Sequence, residues 1–167
     1  SMHLDAADID LKSFDPEFYT DLCAGYLETV LETLKILKSS GVWLEITNLI
    51  IPTLNDDLSQ IKDMCAWIKE NLGEGVPLHF SRFHPQYKLT HLAPTPAETL
   101  YKAREIAVNS GLDFVYIGNL PGNTAENTYC PRCQKAIIQR SGYVILSNKV
   151  VEGKCGFCGR DIPGVWS

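Results

Sequence analysis

The sequence predicts an α/β protein: a partial (β/α) half-barrel of parallel strands, followed by a small β subdomain that carries four cysteines. Three observations predict it. Segments with the two-residue period of a strand alternate with segments of helical period, the pattern that builds parallel sheets. Each candidate strand has one apolar face and one polar face. Two Cys-x2-Cys pairs, Cys130/Cys133 and Cys155/Cys158, follow the last of these units. The predicted division is residues 1–122 for the half-barrel and residues 123–167 for the four-cysteine part.

The first unit is "ADIDLKSF" followed by "DPEFYTDLCAGYLETVLETLKILKSSG". Asp15 is placed to cap the helix, with Pro16 at its first position. Phe18, Leu22, Tyr26, Val30, Leu34 and Leu37 keep helical spacing, which predicts one continuous helix ended by Gly41. The second unit is "VWLEITNLIIP", then "NDDLSQIKDMCAWIKENLG", with Leu58, Ile61, Cys65, Ile68 and Leu72 as its buried stripe and Gly73 at its end. The third is "PLHFSRFHP", then "TPAETLYKAREIAVNSG", where Thr95 and Glu98 predict a capping box around Pro96. "LDFVYIGN" predicts one more short strand. Between the cysteine pairs, "AIIQRSGYVILSNKVVEG" predicts a hairpin around Ser141-Gly142 and a further strand.

Alternate side chains of a strand face opposite sides. Ile9 and Leu11 oppose Asp8, Asp10 and Lys12. Leu44 and Ile46 oppose Trp43, Glu45 and Thr47. Leu78 and Phe80 oppose His79 and Ser81. A parallel strand covered on both faces is apolar on both. This pattern instead predicts helices on one side and a polar cavity on the other, with ligands at the carboxyl ends of the strands. Lys12, Asn48 and His84 lie near those ends. Glu45 is expected to serve the cavity, and His79 has no partner visible in sequence. Asp10 and Lys12 have the spacing of an ion pair. Cys23, Cys65, Trp43, Trp67 and Trp166 are expected to pack. Three or four strands are few for this architecture, and the first leaves an open edge. The expectation is that a further N-terminal half, another chain or a second copy of this one covers it.

The chain has 167 residues, 45% of them hydrophobic, and a formal net charge of -5. That length buries a sizeable core. No apolar run has the length of a membrane span, and no signal peptide is visible. With six cysteines, four of them in tight pairs, the composition points to the cytoplasm and a metal site rather than a secreted disulfide scaffold. The acidic balance argues against general nucleic-acid binding, and the +3 net charge of residues 125–167 is a weak signal for it.

Two close pairs separated by 21 residues supply four thiolates, the set that suits tetrahedral zinc. Gly156 and Gly159 are expected to let the backbone turn so that amides point at sulfur. The pattern is that of a zinc ribbon or a rubredoxin-like knuckle pair. Four cysteines leave no open position for water, so the expected ion is structural zinc, with rubredoxin-type iron as the alternative.

The stretches "DIDLKSF", "WLEITNLIIPTLND", "HFSRFHPQYK", "ENTYCPRCQKAIIQRSGY" and "CGFCGRDIPGVW" together resemble the radical SAM enzyme of the AmmeMemoRadiSam system, which is similar to pyruvate formate-lyase activating enzymes. The resemblance runs over essentially the whole chain. It implies a partial barrel holding a 4Fe-4S cluster and S-adenosylmethionine (SAM), an oxidoreductase-type chemistry in which a 5′-deoxyadenosyl radical abstracts hydrogen from a protein or small-molecule substrate. It implies that Lys12 contacts SAM, that Asp10 lies near a cation site and that His84 lies near the adenosine. The family's Cys-x3-Cys-x2-Cys cluster motif and glycine-rich segment are not in this sequence. What it resembles is therefore the family's C-terminal portion. Two other readings stand beside this one: a non-catalytic module that docks a protein through the ribbon and the open sheet edge, and nucleic-acid binding by the ribbon.

Overall fold

The computed structural model describes residues 4–166. Two compact units divide the chain, one running up to Leu120 and the other starting at Pro121.

In the first unit the order is β1 (Ala6–Asp10), α1 (Pro16–Leu22), α2 (Leu27–Ser39), β2 (Trp43–Ile50), α3 (Leu58–Leu72), β3 (Leu78–Arg82), α4 (Ala97–Asn109) and β4 (Val115–Gly118). The four strands form one sheet in the order β1-β2-β3-β4, and every pairing is parallel. Sequence order and spatial order coincide, so each crossover moves one strand along. That is the progression of a (β/α) barrel, here as an open partial barrel.

The two faces of the sheet differ as their residues demand. Along β2 every second residue, Leu44, Ile46, Asn48 and Ile50, is buried, while Trp43, Glu45, Thr47 and Leu49 are half-exposed. Leu78 and Phe80 of β3 and Val115 and Ile117 of β4 continue the buried face. Against it pack Leu34 of α2, Ile61, Met64 and Ile68 of α3, and Leu100 and Ala103 of α4, all at most 3% exposed. Fully burying one of these leucine, isoleucine or methionine side chains contributes about 1.5–3 kcal/mol.

Caps fix where the helices start. Asp15 accepts from the Glu17 amide at 2.9 Å, with Pro16 following. Asp57 accepts from the amides of Ser59 and Gln60. Three expectations are corrected. The segment after β1 is not one helix: Cys23–Tyr26 separates α1 from α2, and Ala24 adopts a left-handed φ of 49°. Cys23 at this break is exposed rather than packed in the core, whereas Cys65 is buried. Thr95 makes no capping box. Its hydroxyl is buried, donates to the Ile50 carbonyl at 2.6 Å and accepts from the Phe83 amide at 2.9 Å. Two strand-end backbone groups that the helices bury need partners, and this hydroxyl serves both.

The second unit holds β5 (Thr128–Tyr129), β6 (Ala136–Ser141), β7 (Val144–Asn148), β8 (Val150–Val151) and β9 (Lys154–Cys155). β5-β6-β7 form an antiparallel sheet and β8-β9 a two-stranded one. The β6–β7 hairpin turns at Gly142, φ 57°. This is a zinc-ribbon-like subdomain. Among the described residues no helix is long and apolar enough to cross a membrane.

Candidate functional site

Cys130 follows β5, Cys155 ends β9, and each opens a turn of the same design. The Cys130 amide donates to the Lys135 carbonyl, and the Gln134 amide donates back to the Cys130 carbonyl, at 2.9 and 2.8 Å. The Cys155 amide donates to the Arg160 carbonyl, and the Gly159 amide to the Cys155 carbonyl, both at 2.8 Å. Gln134 and Gly159, each four residues after the first cysteine, both have left-handed φ, 58° and 72°. The two knuckles therefore present Cys130/Cys133 and Cys155/Cys158 in equivalent ways. Gly156 has a different task from the one expected: its amide bonds the Lys149 carbonyl at 2.8 Å, and a Cβ there would come within 2.6 Å of that oxygen.

The four sulfurs lie within 4.8 Å of one another. Across the knuckles Cys130 Sγ is 3.6 Å from Cys158 Sγ, and Cys133 Sγ is 3.8 Å from Cys155 Sγ. Disulfide bonds are about 2.05 Å long, so these are free thiols. Zinc–sulfur bonds of about 2.3 Å put tetrahedral sulfurs about 3.8 Å apart. The group is a four-cysteine metal-binding site, compatible with zinc. Its sulfurs converge on one point, room for a single ion and not for an eight-atom cluster. Burial opposes ionisation of Cys155, but the Phe157 and Cys158 amides and the neighbouring thiols outweigh it, and its pKa falls to about 7. At Cys158 the Arg160 amide favours the thiolate, while burial and the other three thiols push the pKa up to about 11. One thiolate is thus ready near neutrality, and an ion would supply the positive charge for the rest.

In the α/β unit, Asp10 and Lys12 meet at the carboxyl end of β1, Nζ to Oδ1 2.9 Å, both partly exposed. The backbone of Lys12 is held from three segments. Its amide donates to Tyr19 Oη of α1 at 2.9 Å. Its carbonyl accepts from Asn48 Nδ2 of β2 at 3.1 Å and from Asn55 Nδ2 of the loop after β2 at 2.5 Å. Asn55 also accepts from the Ile51 amide, so it fastens its own loop. Tyr19 and Asn55 carried no sequence signal, since their partners lie 7 and 43 residues away.

His84 follows β3 and is exposed, with Nε2 3.5 Å from the Asn119 carbonyl. β2 lies between β1 and β3, which sets Lys12 and His84 on strands about 10 Å apart. Glu45 and His79 do meet, Oε2 to Nε2 2.7 Å, although 34 residues separate them. Trp43 is more than a packing residue, because its Nε1–H donates to Glu45 Oε1 at 3.0 Å.

No family model matches the chain. An uncharacterized protein of Methanocaldococcus jannaschii is 45% identical over 166 residues, taking in 97% of this chain and 49% of that protein. The chain therefore spans about half the length of this curated relative. Among solved structures, the chain is similar to the crystal structure of a domain of pyruvate-formate lyase-activating enzyme from Bacteroides vulgatus. The TM-score is 0.60 at 20% identity, covering 69% of this chain and 68% of that one. At that identity the likeness establishes the fold.

Proposed function

We propose that the chain supplies the C-terminal half of a cytoplasmic radical SAM enzyme of the AmmeMemoRadiSam type, and that its four cysteines hold a structural zinc ion. The observation that carries the reading is the locked Asp10–Lys12 strand end, which sits on the polar side of a one-sided (β/α) sheet. Lys12 Nζ has three N–H donors and gives one to Asp10, which leaves donors for the carboxylate of SAM. Asp10 would hold that ammonium in place and stand near a cation. His84 would border the adenosine. When bound, SAM and a reduced 4Fe-4S cluster supply hydrogen-abstracting power. The cluster ligands are not in this chain, and the four paired cysteines do not replace them. The likeness in fold to an activating-enzyme domain and the double length of the relative support the reading. The outer edge of β1, which pairs with no strand among the described residues, is where a missing half, another chain or a second copy would join. The substrate is a protein residue or a small molecule.

The test uses the full-length protein encoded by the gene, reconstituted anaerobically with iron and sulfide. It is expected to cleave SAM to methionine and 5′-deoxyadenosine. Lys12→Ala is expected to weaken SAM binding at least ten-fold, the scale of one charge-assisted hydrogen bond at about 1.5–3 kcal/mol. Unchanged affinity in both Lys12→Ala and His84→Ala would sink the assignment, as would a gene that encodes nothing more than this chain. Metal analysis that returned iron would replace the zinc.

One observation favours a second reading, a protein-binding module. β7 is an edge strand whose Val144, Ile145 and Leu146 are 60–65% exposed, beside a fully exposed Tyr143. An apolar edge of this kind invites a partner strand. Sedimentation showing only monomers, with Ile145→Lys changing nothing, removes this reading. Salt-titrated binding disposes of the nucleic-acid alternative in the same way.

A further inference from the structure

The polar face of the sheet carries one constellation that neither the strand-end site nor the metal centre uses. Thr47 of β2 lies opposite His79 of β3, and His79 lies opposite Tyr116 of β4. Glu45, two residues before Thr47 on the same face, reaches His79 diagonally, Oε2 to Nε2 2.7 Å. Its other oxygen accepts the Trp43 indole N–H at 3.0 Å. The His79 ring stacks on Tyr116, with centroids 4.8 Å apart and planes 19° from parallel.

A carboxylate only accepts, so Nε2 carries the hydrogen whatever the charge on the ring. In the neutral ring the lone pair is then on Nδ1. Trp43 fixes the carboxylate, and Tyr116 fixes the plane of the imidazole. Nδ1 has no hydrogen-bond partner among the described residues. The two side chains are 32% and 36% exposed, so solvent-borne molecules reach them. An exposed pair of this kind adds little to stability, yet this one is braced on both members by aromatic groups. A held imidazole with a free lone pair is the arrangement of a proton acceptor.

We infer that Glu45 and His79 form a second site on this face, in which His79 Nδ1 takes the proton of a ligand hydroxyl or amine. Glu45 is the positioning residue. The proton moves from the ligand oxygen or nitrogen to Nδ1, its electron pair stays on the ligand, and the Glu45 carboxylate offsets the imidazolium charge. No oxidant or metal takes part. The ligand class is a small molecule or side chain that offers an O–H or N–H donor. The site goes beyond the proposed SAM contacts and shares no residue with them.

Two measurements on the full chain test it. In two-bond proton–nitrogen spectra of 15N-labelled protein, His79 is expected to show the pure Nε2–H tautomer. Glu45→Gln, whose amide both donates and accepts, is expected to mix the tautomers while leaving zinc content and thermal midpoint unchanged. Diethyl pyrocarbonate, which acylates an unprotonated ring nitrogen, is the chemical probe. Peptide mapping is expected to show His79 reacting several-fold faster than His84 and His91, with Glu45→Gln reducing it to their rate and Glu45→Asp keeping part of the difference. A mixed or Nδ1–H tautomer in the unmodified protein overturns the inference, and so does acylation of His79 no faster than the other two. Neither readout depends on SAM or a cluster, so a failure of the radical SAM reading is separately visible.

Discussion

Up to Leu120 the chain buries Leu34, Ile46, Ile68, Phe80 and Leu100 almost completely between a sheet and its helices. From Pro121 onward, the buried apolar side chains among the described residues are Ala125, Ile137, Ile138 and Ile162, beside Cys130 and Cys155. The first unit removes enough apolar surface to fold by hydrophobic burial. The second, a few short strands with an exposed hairpin, is below the size at which a core alone suffices. Its four converging sulfurs do the work that aliphatic side chains do elsewhere. The difference teaches that one chain contains two kinds of stability, which respond to different insults.

The largest expected effect comes from removing the metal. Structural zinc contributes on the order of 10 kcal/mol to small domains of this kind. A strong chelator, or Cys130→Ser, is expected to unfold the second unit while the helical circular dichroism of the first persists. Limited proteolysis with mass spectrometry checks this, with cuts confined to positions after Leu120. Acid acts in the same direction. Protons compete with the ion for sulfur, so metal affinity falls as pH falls.

Phe80→Ala attacks the other side of the comparison. Phe80 is fully buried, and its truncation is expected to cost about 3–5 kcal/mol in urea denaturation. Zinc stoichiometry should stay at one ion per chain. A loss of zinc in this variant would show that the two units do not fold independently.

Alkali sharpens the contrast further. Burial pushes the Cys65 thiol up from an ordinary 9.0 to about 12. A raised acid contributes stability that is complete below its unfolded pKa and disappears as pH climbs through the folded one. The first unit is therefore expected to weaken between about pH 9 and pH 12, and Cys65→Ala to remove that part of the slope. Acid undoes the ribbon and alkali undoes the barrel. Stability measured across the alkaline range tests the sign.

The smallest expected effect is at Thr95. Thr95→Val leaves the Phe83 amide and the Ile50 carbonyl without the hydroxyl that joins them, at about 1–3 kcal/mol. Chemical denaturation measures it, and only the first unit should respond.

The strands and the metal knuckles were legible because their signals are local. A two-residue alternation and a Cys-x2-Cys spacing are read within ten residues. The half-exposed side of the sheet was legible for the same reason, through Glu45, Thr47 and His79. The break at Cys23–Tyr26 was hidden by a helical spacing that ran straight across it, although Gly25 marks the place. Thr95 read as a cap because a threonine before a proline usually is one, and only the packed strand ends reveal its other use. The Glu45–His79 contact could not be read at all, because register between β2 and β3 brings the two together and no local pattern encodes register. Tyr19 and Asn55 escaped notice on the same ground.

The three ties on Lys12 have a mechanical consequence. Tyr19 belongs to a short helix, Asn48 to a central strand and Asn55 to a loop, yet all three clamp the backbone of one residue. Slackness in any of them is delivered to the same ammonium group. A substitution far from the strand end, such as one that loosens the α1–α2 break, would thus be felt there as a change of aim rather than as a loss of fold.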